Sequence, residues 1–136
     1  MIANRETGEI VLESGTVLSP RTTRSDFLRS PEGAASSMLV RNEPWCSFKF
    51  AVQAESLVLA VFFNGESIQA MHLAIVDADS APWSHEAELR RKEANDRWLL
   101  SKGLTPGKTY AWGSVWSGYD PKGGSSSAVL SFSGGS

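Results

Sequence analysis

The sequence lacks the features that mark a disulfide scaffold, a membrane span or a basic nucleic-acid-binding surface. It has a single cysteine, Cys46, which excludes an internal disulfide and suits a reducing compartment. No apolar run approaches the roughly 18 residues of a transmembrane helix. The balance of 13 Lys and Arg residues against 15 Asp and Glu leaves a net charge of −2. Neither nucleic acid nor an anionic membrane is therefore expected as a partner.

The start of the chain and its length predict a small cytoplasmic domain. The first ten residues contain no basic segment followed by an apolar one, which a secretory signal would require. A chain of 136 residues can bury a hydrophobic core without disulfides or metals, and this length predicts one domain. We expect residues 1–133 to form that domain and residues 134–136 to be a flexible Gly/Ser tail.

Two apolar runs in the middle of the chain are joined by Asn64-Gly65, a pair in which both residues tolerate positive φ. This pattern predicts a β-hairpin over residues 55–76 at the centre of a sheet. A two-residue loop at Asn64-Gly65 would place Val61 opposite Ile68. The second face of the hairpin is also expected to be covered in part. The first face would be aliphatic, formed by Leu57, Leu59, Val61, Phe63, Ile68, Ala70, Ala74 and Val76.

Residues 83–102 carry the pattern of the one long helix. At 100° per residue an apolar stripe runs along this helix, and Trp98 in that stripe would pack on the central hairpin. Gly103 predicts the left-handed end of the helix, with Leu104 as the apolar contact after it. The acidic side chains would form a solvated face with Arg or Lys partners three or four residues away. The stripe consists of Trp83, Ala87, Ala94 and Trp98, and the acidic set of Glu86, Glu88, Glu93 and Asp96.

Shorter elements account for the rest of the chain. Thr22 or Thr23 would cap a short helix that ends at Ser30, before Pro31. With the central hairpin and the long helix, these elements predict an α+β fold. It would have a single antiparallel sheet of six to eight strands, the long helix across it and one short N-terminal helix. The shorter segments are a hairpin at 9–18, a helix at 22–29, a loop at 32–36, an edge strand at 38–41, a strand at 45–52 with one buried face, and a closing hairpin at 108–133.

The closing hairpin is rich in aromatic residues. Its first strand, predicted over residues 108–119, would carry Tyr110, Trp112 and Trp116 on one face. Trp and Tyr dominate binding hot spots, but in a small domain they are more often core residues. The balance favours the core for Tyr110 and Trp112. It leaves core and interface equally open for Trp116 and Tyr119, which lie nearer the turn.

No motif with catalytic spacing is present, so we predict neither a cofactor nor an enzyme. Cys46 and His72 could form a nucleophile pair, but no sequence signature links them, and two ordinary sheet residues are favoured. A metal site at His72 and His85 with Asp77 and Asp79 matches no common ligand spacing, so we expect no stoichiometric metal. The alternative function is a small enzyme or ligand-binding domain with a cleft near His72.

Several of these segments together resemble a family of small bacterial proteins that are often encoded near secreted toxins. Members of this family are suspected immunity proteins. The resemblance spans Gly8 to Phe132, and its specific part is the run Trp112-Gly113-x-Val115-x-Ser117-x-Tyr119-Asp120-Pro121-Lys122-Gly123. The matching residues outside that run are Ser19, Pro20, Thr22, Thr23, Phe27, Leu28, Trp98, Leu99 and Gly103.

The resemblance implies a non-catalytic protein that neutralises a cognate toxin by direct binding. It brings no catalytic residue and no cofactor, and it leaves the oligomeric state open. We place the partner-binding surface at the end of the closing hairpin, where aromatic and acidic residues adjoin a rigid Pro-containing turn that needs little ordering on binding. The predicted contact residues are Trp116, Tyr119, Asp120 and Lys122.

Overall fold

The described part of the chain forms three α-helices, one large antiparallel sheet and several short strands outside it. The structure, a computed structural model, describes residues 1–75, 84–120 and 125–132, with the backbone alone for residues 85, 119, 120 and 125. The helices are α1 (Arg24–Arg29), α2 (Pro31–Ala35) and α3 (His85–Ser101). The strands are β1 (Ile2–Ala3), β2 (Ile10–Val11), β3 (Val17–Leu18), β4 (Ser37–Asn42), β5 (Trp45–Val52), β6 (Leu57–Asn64), β7 (Ser67–Ile75), β8 (Thr109–Tyr110), β9 (Gly113–Asp120) and β10 (Ser125–Phe132).

Seven strands form the main sheet in the order β4-β5-β6-β7-β10-β9-β8, and every neighbouring pair is antiparallel. The hairpin of β6 and β7 lies at its centre, and the long helix α3 packs on the sheet over β7, β9 and β10, so the predicted α+β fold is confirmed. The prediction of a single sheet needs one correction. Strands β1, β2 and β3, of two residues each, form a separate small sheet. Its side chains Ile10 and Leu18 join the core of the main sheet.

The turn of the central hairpin lies one residue further along the chain than predicted. Asn64 pairs with Ser67, so the loop residues are Gly65 and Glu66, and Gly65 takes the positive φ of +60° that the turn requires. Gln69 then has no partner in β6 and forms a bulge. The hairpin was therefore predicted correctly, but its register was not.

The bulge changes which residues of β7 face the core. Val61 lies opposite Met71 and not, as predicted, opposite Ile68. Burial of apolar surface stabilises the fold by about 25 cal/mol per Å², so burying a larger apolar side chain stabilises it more. The bulge turns two such side chains inward. The residues buried by this shift are Met71 and Leu73, in place of Ala70 and Ala74.

One face of the main sheet, the covered face, carries the hydrophobic core, with Phe27 of α1 at its centre. The predicted strand at 45–52 is confirmed as β5, and its alternate residues Phe48 and Phe50 are buried. The ring centroid of Phe27 lies 5.7 Å from that of Phe48, 5.7 Å from that of Phe50 and 5.8 Å from that of Phe63. These aromatic contacts hold α1 against β5 and β6.

Serine and threonine caps define the two short helices. Thr23 accepts a hydrogen bond from the backbone N of Asp26 at 3.1 Å, which confirms the predicted cap of α1. The loop predicted at 32–36 is wrong, because a second helix, α2, begins immediately. Ser30 caps it by accepting from the backbone N of Gly33 at 3.0 Å. Pro31 takes the first helical position, where its missing N–H leaves no hydrogen bond unmade.

Both ends of α3 follow from local sequence signals. Ser84 caps its start by accepting from the backbone N of Ala87 at 3.0 Å. At its end Gly103 adopts φ +81°, and the backbone N of Leu104 donates to the carbonyl of Leu99 at 2.9 Å. The predicted glycine stop, with its apolar contact at the buried Leu104, is therefore confirmed.

The buried side of α3 is more polar than predicted. Ala87 and Trp98 are buried, as the apolar stripe required, whereas Trp83 lies outside the described residues. Glu88 and Asn95 are buried beside them. The predicted solvated face is thus wrong at Glu88, which is 4% exposed.

Glu88 and Asn95 are buried because they bind backbone groups at the ends of two strands. One carboxylate oxygen of Glu88 accepts from the backbone N of Ser126 in β10 at 2.8 Å, and the Ser126 hydroxyl donates to the Glu88 carbonyl at 2.6 Å. The other carboxylate oxygen pairs with Arg91. The amide oxygen of Asn95 accepts from the backbone N of Ile75 in β7 at 3.1 Å. These polar contacts set the position of α3 across the covered face.

We expect Glu88→Ala to lower the free energy of unfolding by about 1–3 kcal/mol, because it leaves the buried N–H of Ser126 without a partner. Urea unfolding of the purified variant measures this change. Glu86→Ala is the matched control, since Glu86 is an exposed residue of the same helix whose ion pair with Arg90 spans 3.5 Å. Its loss should change stability by less than about 0.5 kcal/mol. Equal effects of the two substitutions would contradict this role of Glu88.

Candidate protein-interaction surface

The described helices and the small sheet all pack on the covered face, so the opposite side of the main sheet forms an open face. The strand registers decide which residues lie there, because side chains alternate along each strand. Coverage of this second face was predicted, but no described helix or strand provides it. The open face is formed by Ser37, Val40, Asn42, Trp45, Ser47, Lys49, Ala51, Val58, Ala60, Phe62, Asn64, Ala70, His72, Ala74, Ser114, Trp116, Gly118, Ser127, Val129 and Ser131.

The composition of the open face is unusual for a sheet surface exposed to water. The solvated face of an antiparallel sheet commonly carries polar side chains. Charged residues make up 21% of this chain, so several would be expected on such a face. Yet Lys49 is the one charged side chain among the open-face residues named above. The others are aromatic, aliphatic or small, or carry a hydroxyl or an amide group. Depletion of charge together with aromatic residues is the composition of the central part of protein–protein interfaces.

A row of apolar and aromatic side chains crosses the middle of the open face. The rings of Phe62 in β6 and His72 in β7 are in contact, with centroids 4.4 Å apart. Val129 of β10 lies next to His72 on one side and next to Trp116 of β9 on the other. The row therefore joins four adjacent strands, and Trp116 stands at its end.

Trp116 is held close to the sheet by the glycine two residues after it. A Cβ atom at Gly118 would lie 2.6 Å from an atom of the Trp116 ring, so the ring lies against this glycine, where any other residue would clash with it. Even so, 47% of Trp116 is exposed to solvent. A large aromatic side chain in a fixed position loses little conformational freedom when a partner covers it.

The structure gives the side-chain position of one of the four predicted contact residues. It places Trp116 on the open face and exposed, not in the core. Tyr119 and Asp120 belong to β9, but their side chains lie outside the described residues, as does Lys122. The contact role of all four residues stays a prediction.

The other two aromatic residues of this segment belong to the core. The predicted strand over 108–119 is interrupted between β8 and β9, so Trp112 does not share a face with Trp116. Trp112 is buried and donates from its indole nitrogen to the carbonyl of Arg5 at 2.7 Å. Tyr110 stacks on it with ring centroids 5.2 Å apart. The preference for the core at these two positions is thus confirmed.

A second exposed tryptophan, Trp45, was missed as a candidate contact residue. It lies at the start of β5 on the open face and is 47% exposed. The alternation of buried and outward residues in 45–52 already placed Trp45 outward. The usable signal was a tryptophan at a position that the pattern assigns to solvent.

The alternative chemistry at Cys46 and His72 is not supported by their positions. Cys46 is buried on the covered face, whereas His72 lies on the open face, so the sheet separates the two side chains. Among the described residues, no three His, Cys, Asp or Glu side chains lie close enough to share a metal ion. Asp77, Asp79 and the side chain of His85 lie outside the described residues. The absence of a metal site therefore stays a prediction.

Because the His72 side chain is partly buried, we expect the stability of the protein to depend on pH. Burial of the imidazole lowers its pKa below the usual value of about 6.5. The unfolded chain then binds more protons than the folded one below about pH 6.5, so the free energy of unfolding decreases as the pH falls through this range. We expect urea unfolding at about pH 7 and about pH 5 to show this loss, and His72→Gln to reduce it. The same pH dependence in both proteins would contradict the assignment to His72.

The comparisons with known proteins concern the fold. No protein-family model matches the chain, and no curated protein sequence does. None of the described helices is long and apolar enough to cross a membrane. The fold is similar to that of a chain in the solved structure of Rhs1-CT in complex with its cognate immunity protein RhsI1. The TM-score is 0.64 at 11% sequence identity, over 98% of this chain and 87% of the other, so nearly the whole chain shares this architecture.

Proposed function

We propose that this chain is a bacterial immunity protein that acts in the cytoplasm by binding a cognate toxin and blocking it. The observation that carries the proposal is the shared fold with a chain from a toxin–immunity complex, which extends over nearly the whole length. The sequence resemblance to proteins encoded near secreted toxins supports the same function independently. Blocking by binding requires an accessible surface of the right size and composition, and the open face has both properties.

The size of the open face fits a specific protein complex. Six adjacent strands of about eight residues each, β4, β5, β6, β7, β10 and β9 in sheet order, cover roughly 650 Å² of sheet surface. A stable protein–protein interface buries about 800 Å² on each partner. The open face and a modest contribution from its margins therefore supply the area that one toxin domain needs.

The composition of the face supports Trp116 as an anchor residue. Hot-spot residues are typically aromatic, lie in a well-packed patch and are surrounded by contacts that exclude water. Trp116 is exposed, is held over Gly118 and lies beside Val129. We assign it to the toxin contact, together with Tyr119, Asp120 and Lys122 at the adjoining end of the hairpin.

The proposal is tested with the toxin domain encoded next to this chain. We expect the two purified proteins to form a complex by gel filtration and isothermal titration calorimetry. Expression of this chain should also restore growth to bacterial cells that produce the toxin. A neighbouring gene product without toxic activity, or a toxin that forms no complex with this chain, would overturn the proposal.

A further inference from the structure

The exposed hydrophobic residues are concentrated at one edge of the main sheet. Ten large hydrophobic side chains are exposed among the described residues, and half of them lie at or beside β4. A cluster of this kind marks an interaction site more strongly than the same residues scattered over a surface. The edge cluster consists of Leu28, Met38, Leu39, Val40 and Trp45.

Strand β4 is an edge strand that is open to pairing. It is exposed along its whole length, and no described strand pairs with its outer side. Natural edge strands are commonly protected by lysine, proline, β-bulges or inward-pointing charges. Strand β4 contains neither lysine nor proline, and its one charged residue, Arg41, lies on the covered-face side opposite Cys46. A bulge at Leu39 bends the strand but leaves apolar side chains on both sides of it.

A groove runs beside β4 on the side of the covered face. It has a volume of about 350 Å³ and lies between α1 and the strand. Leu28, Met38 and Phe48 give it an apolar lining. Its four charged residues balance in sign, since Glu43 lies 3.6 Å from Arg24 and 3.2 Å from Arg41, and Glu66 lies 3.9 Å from Arg24. The groove therefore suits an uncharged, apolar side chain.

We propose that an extended segment of the toxin adds to β4 as a further strand of the main sheet. Its backbone pairs with the free edge, and alternate side chains point to opposite sides, as in any strand. Those on one side enter the groove between Leu28 and Met38. Those on the other side contact Val40 and Trp45 and continue the contact onto the open face. This inference rests on the proposed function and specifies how the toxin is bound.

The charges of the edge favour a toxin segment over a second copy of this chain. Two β4 strands paired antiparallel about their centre would set Met38 of one copy opposite Arg41 of the other. The arginine would then lie against the apolar lining formed by Leu28 and Met38. Burying its charge there costs free energy, and this cost disfavours self-pairing. An apolar segment of a different protein carries no such cost.

Amide hydrogen exchange tests the proposal on the unmodified protein. The outward-facing amides within residues 37–42 should exchange fast in the free chain. They should be protected at least about tenfold when the neighbouring toxin domain is bound, because new inter-strand hydrogen bonds close the edge. If the bound toxin protected amides only in other strands of the main sheet and left exchange in β4 unchanged, the inference would be overturned.

Lysine substitutions provide the second measurement. Met38→Lys and Val40→Lys should each weaken binding of the toxin domain by at least about tenfold, since they put a charge into the groove or onto the contact beside Trp45. Leu100→Lys is the matched control, because Leu100 is 58% exposed but lies on α3, away from β4. It should bind as the wild type does. Melting curves should show all three variants folded.

The remaining outcomes separate this inference from the proposed function. A toxin that binds wild type, Met38→Lys and Val40→Lys equally well, without protection of β4, overturns the strand addition and leaves the immunity function standing. Failure of the wild type to bind overturns both. If the amides of β4 are protected without toxin, and this protection increases with the concentration of the protein, then β4 pairs with a second copy of the chain. That result also overturns the inference.

Discussion

Phe27→Ala is expected to lower the free energy of unfolding by roughly 3–5 kcal/mol. Phe27 is 1% exposed and contacts the rings of Phe48, Phe50 and Phe63. Its removal takes away buried apolar area and leaves a cavity between α1 and the sheet, where three rings on strands cannot move to fill it. A small domain has about 5–15 kcal/mol of total stability, so the variant would be close to unfolding.

The neighbouring residue provides the control for this prediction. Leu28 follows Phe27 in α1 but is exposed, so Leu28→Ala should change the free energy of unfolding by less than about 1 kcal/mol. Urea unfolding followed by tryptophan fluorescence measures both variants. If Phe27→Ala were no less stable than Leu28→Ala, Phe27 could not lie at the centre of the core.

Trp116→Ala is expected to weaken toxin binding by about 2 kcal/mol or more, which is about 30-fold in the dissociation constant. The same change should hardly alter the melting temperature, because Trp116 is about half exposed and lies on the open face. Titration calorimetry and thermal melting on one sample of the variant give both quantities.

Trp112→Ala separates a contact role from a structural one. Trp112 is a buried tryptophan of the same segment, and its removal should cost roughly 3–5 kcal/mol of stability. A Trp116→Ala protein that melts as early as Trp112→Ala would show that Trp116 supports the fold. A fully stable Trp116→Ala protein with unchanged affinity would remove this residue from the toxin contact.

The parts of the fold that local signals determine were predictable from the sequence. The ends of α1 and α3 follow from Thr23 and Gly103, whose side chain or backbone freedom acts within a few residues. The central hairpin follows from two apolar runs and a glycine turn. Its register was not predictable, because the bulge at Gln69 depends on which side chains of β7 fit the core.

The candidate surface was predictable only in part, because it depends on contacts between segments that are far apart in the sequence. Trp116 lies in a distinctive segment, but whether it faces the core or solvent depends on the break between β8 and β9. No single residue of the sequence predicts that break. Glu88 was assigned to solvent because its partner, the backbone N of Ser126, comes from a strand far along the chain. The edge cluster at β4 likewise requires the order of strands in the sheet, since an edge is a property of the whole topology.

The one-sided packing of the main sheet has an evolutionary consequence. Along β6, odd-numbered residues such as Leu59 and Val61 hold the core, while even-numbered residues such as Ala60 and Phe62 lie on the open face. Substitutions at positions without shared contacts act almost independently. Recognition can therefore change, one outward residue at a time, while the inward residues that hold the fold stay as they are. If the surface of a binding partner changes during evolution, the open face of this protein can change with it without loss of the fold.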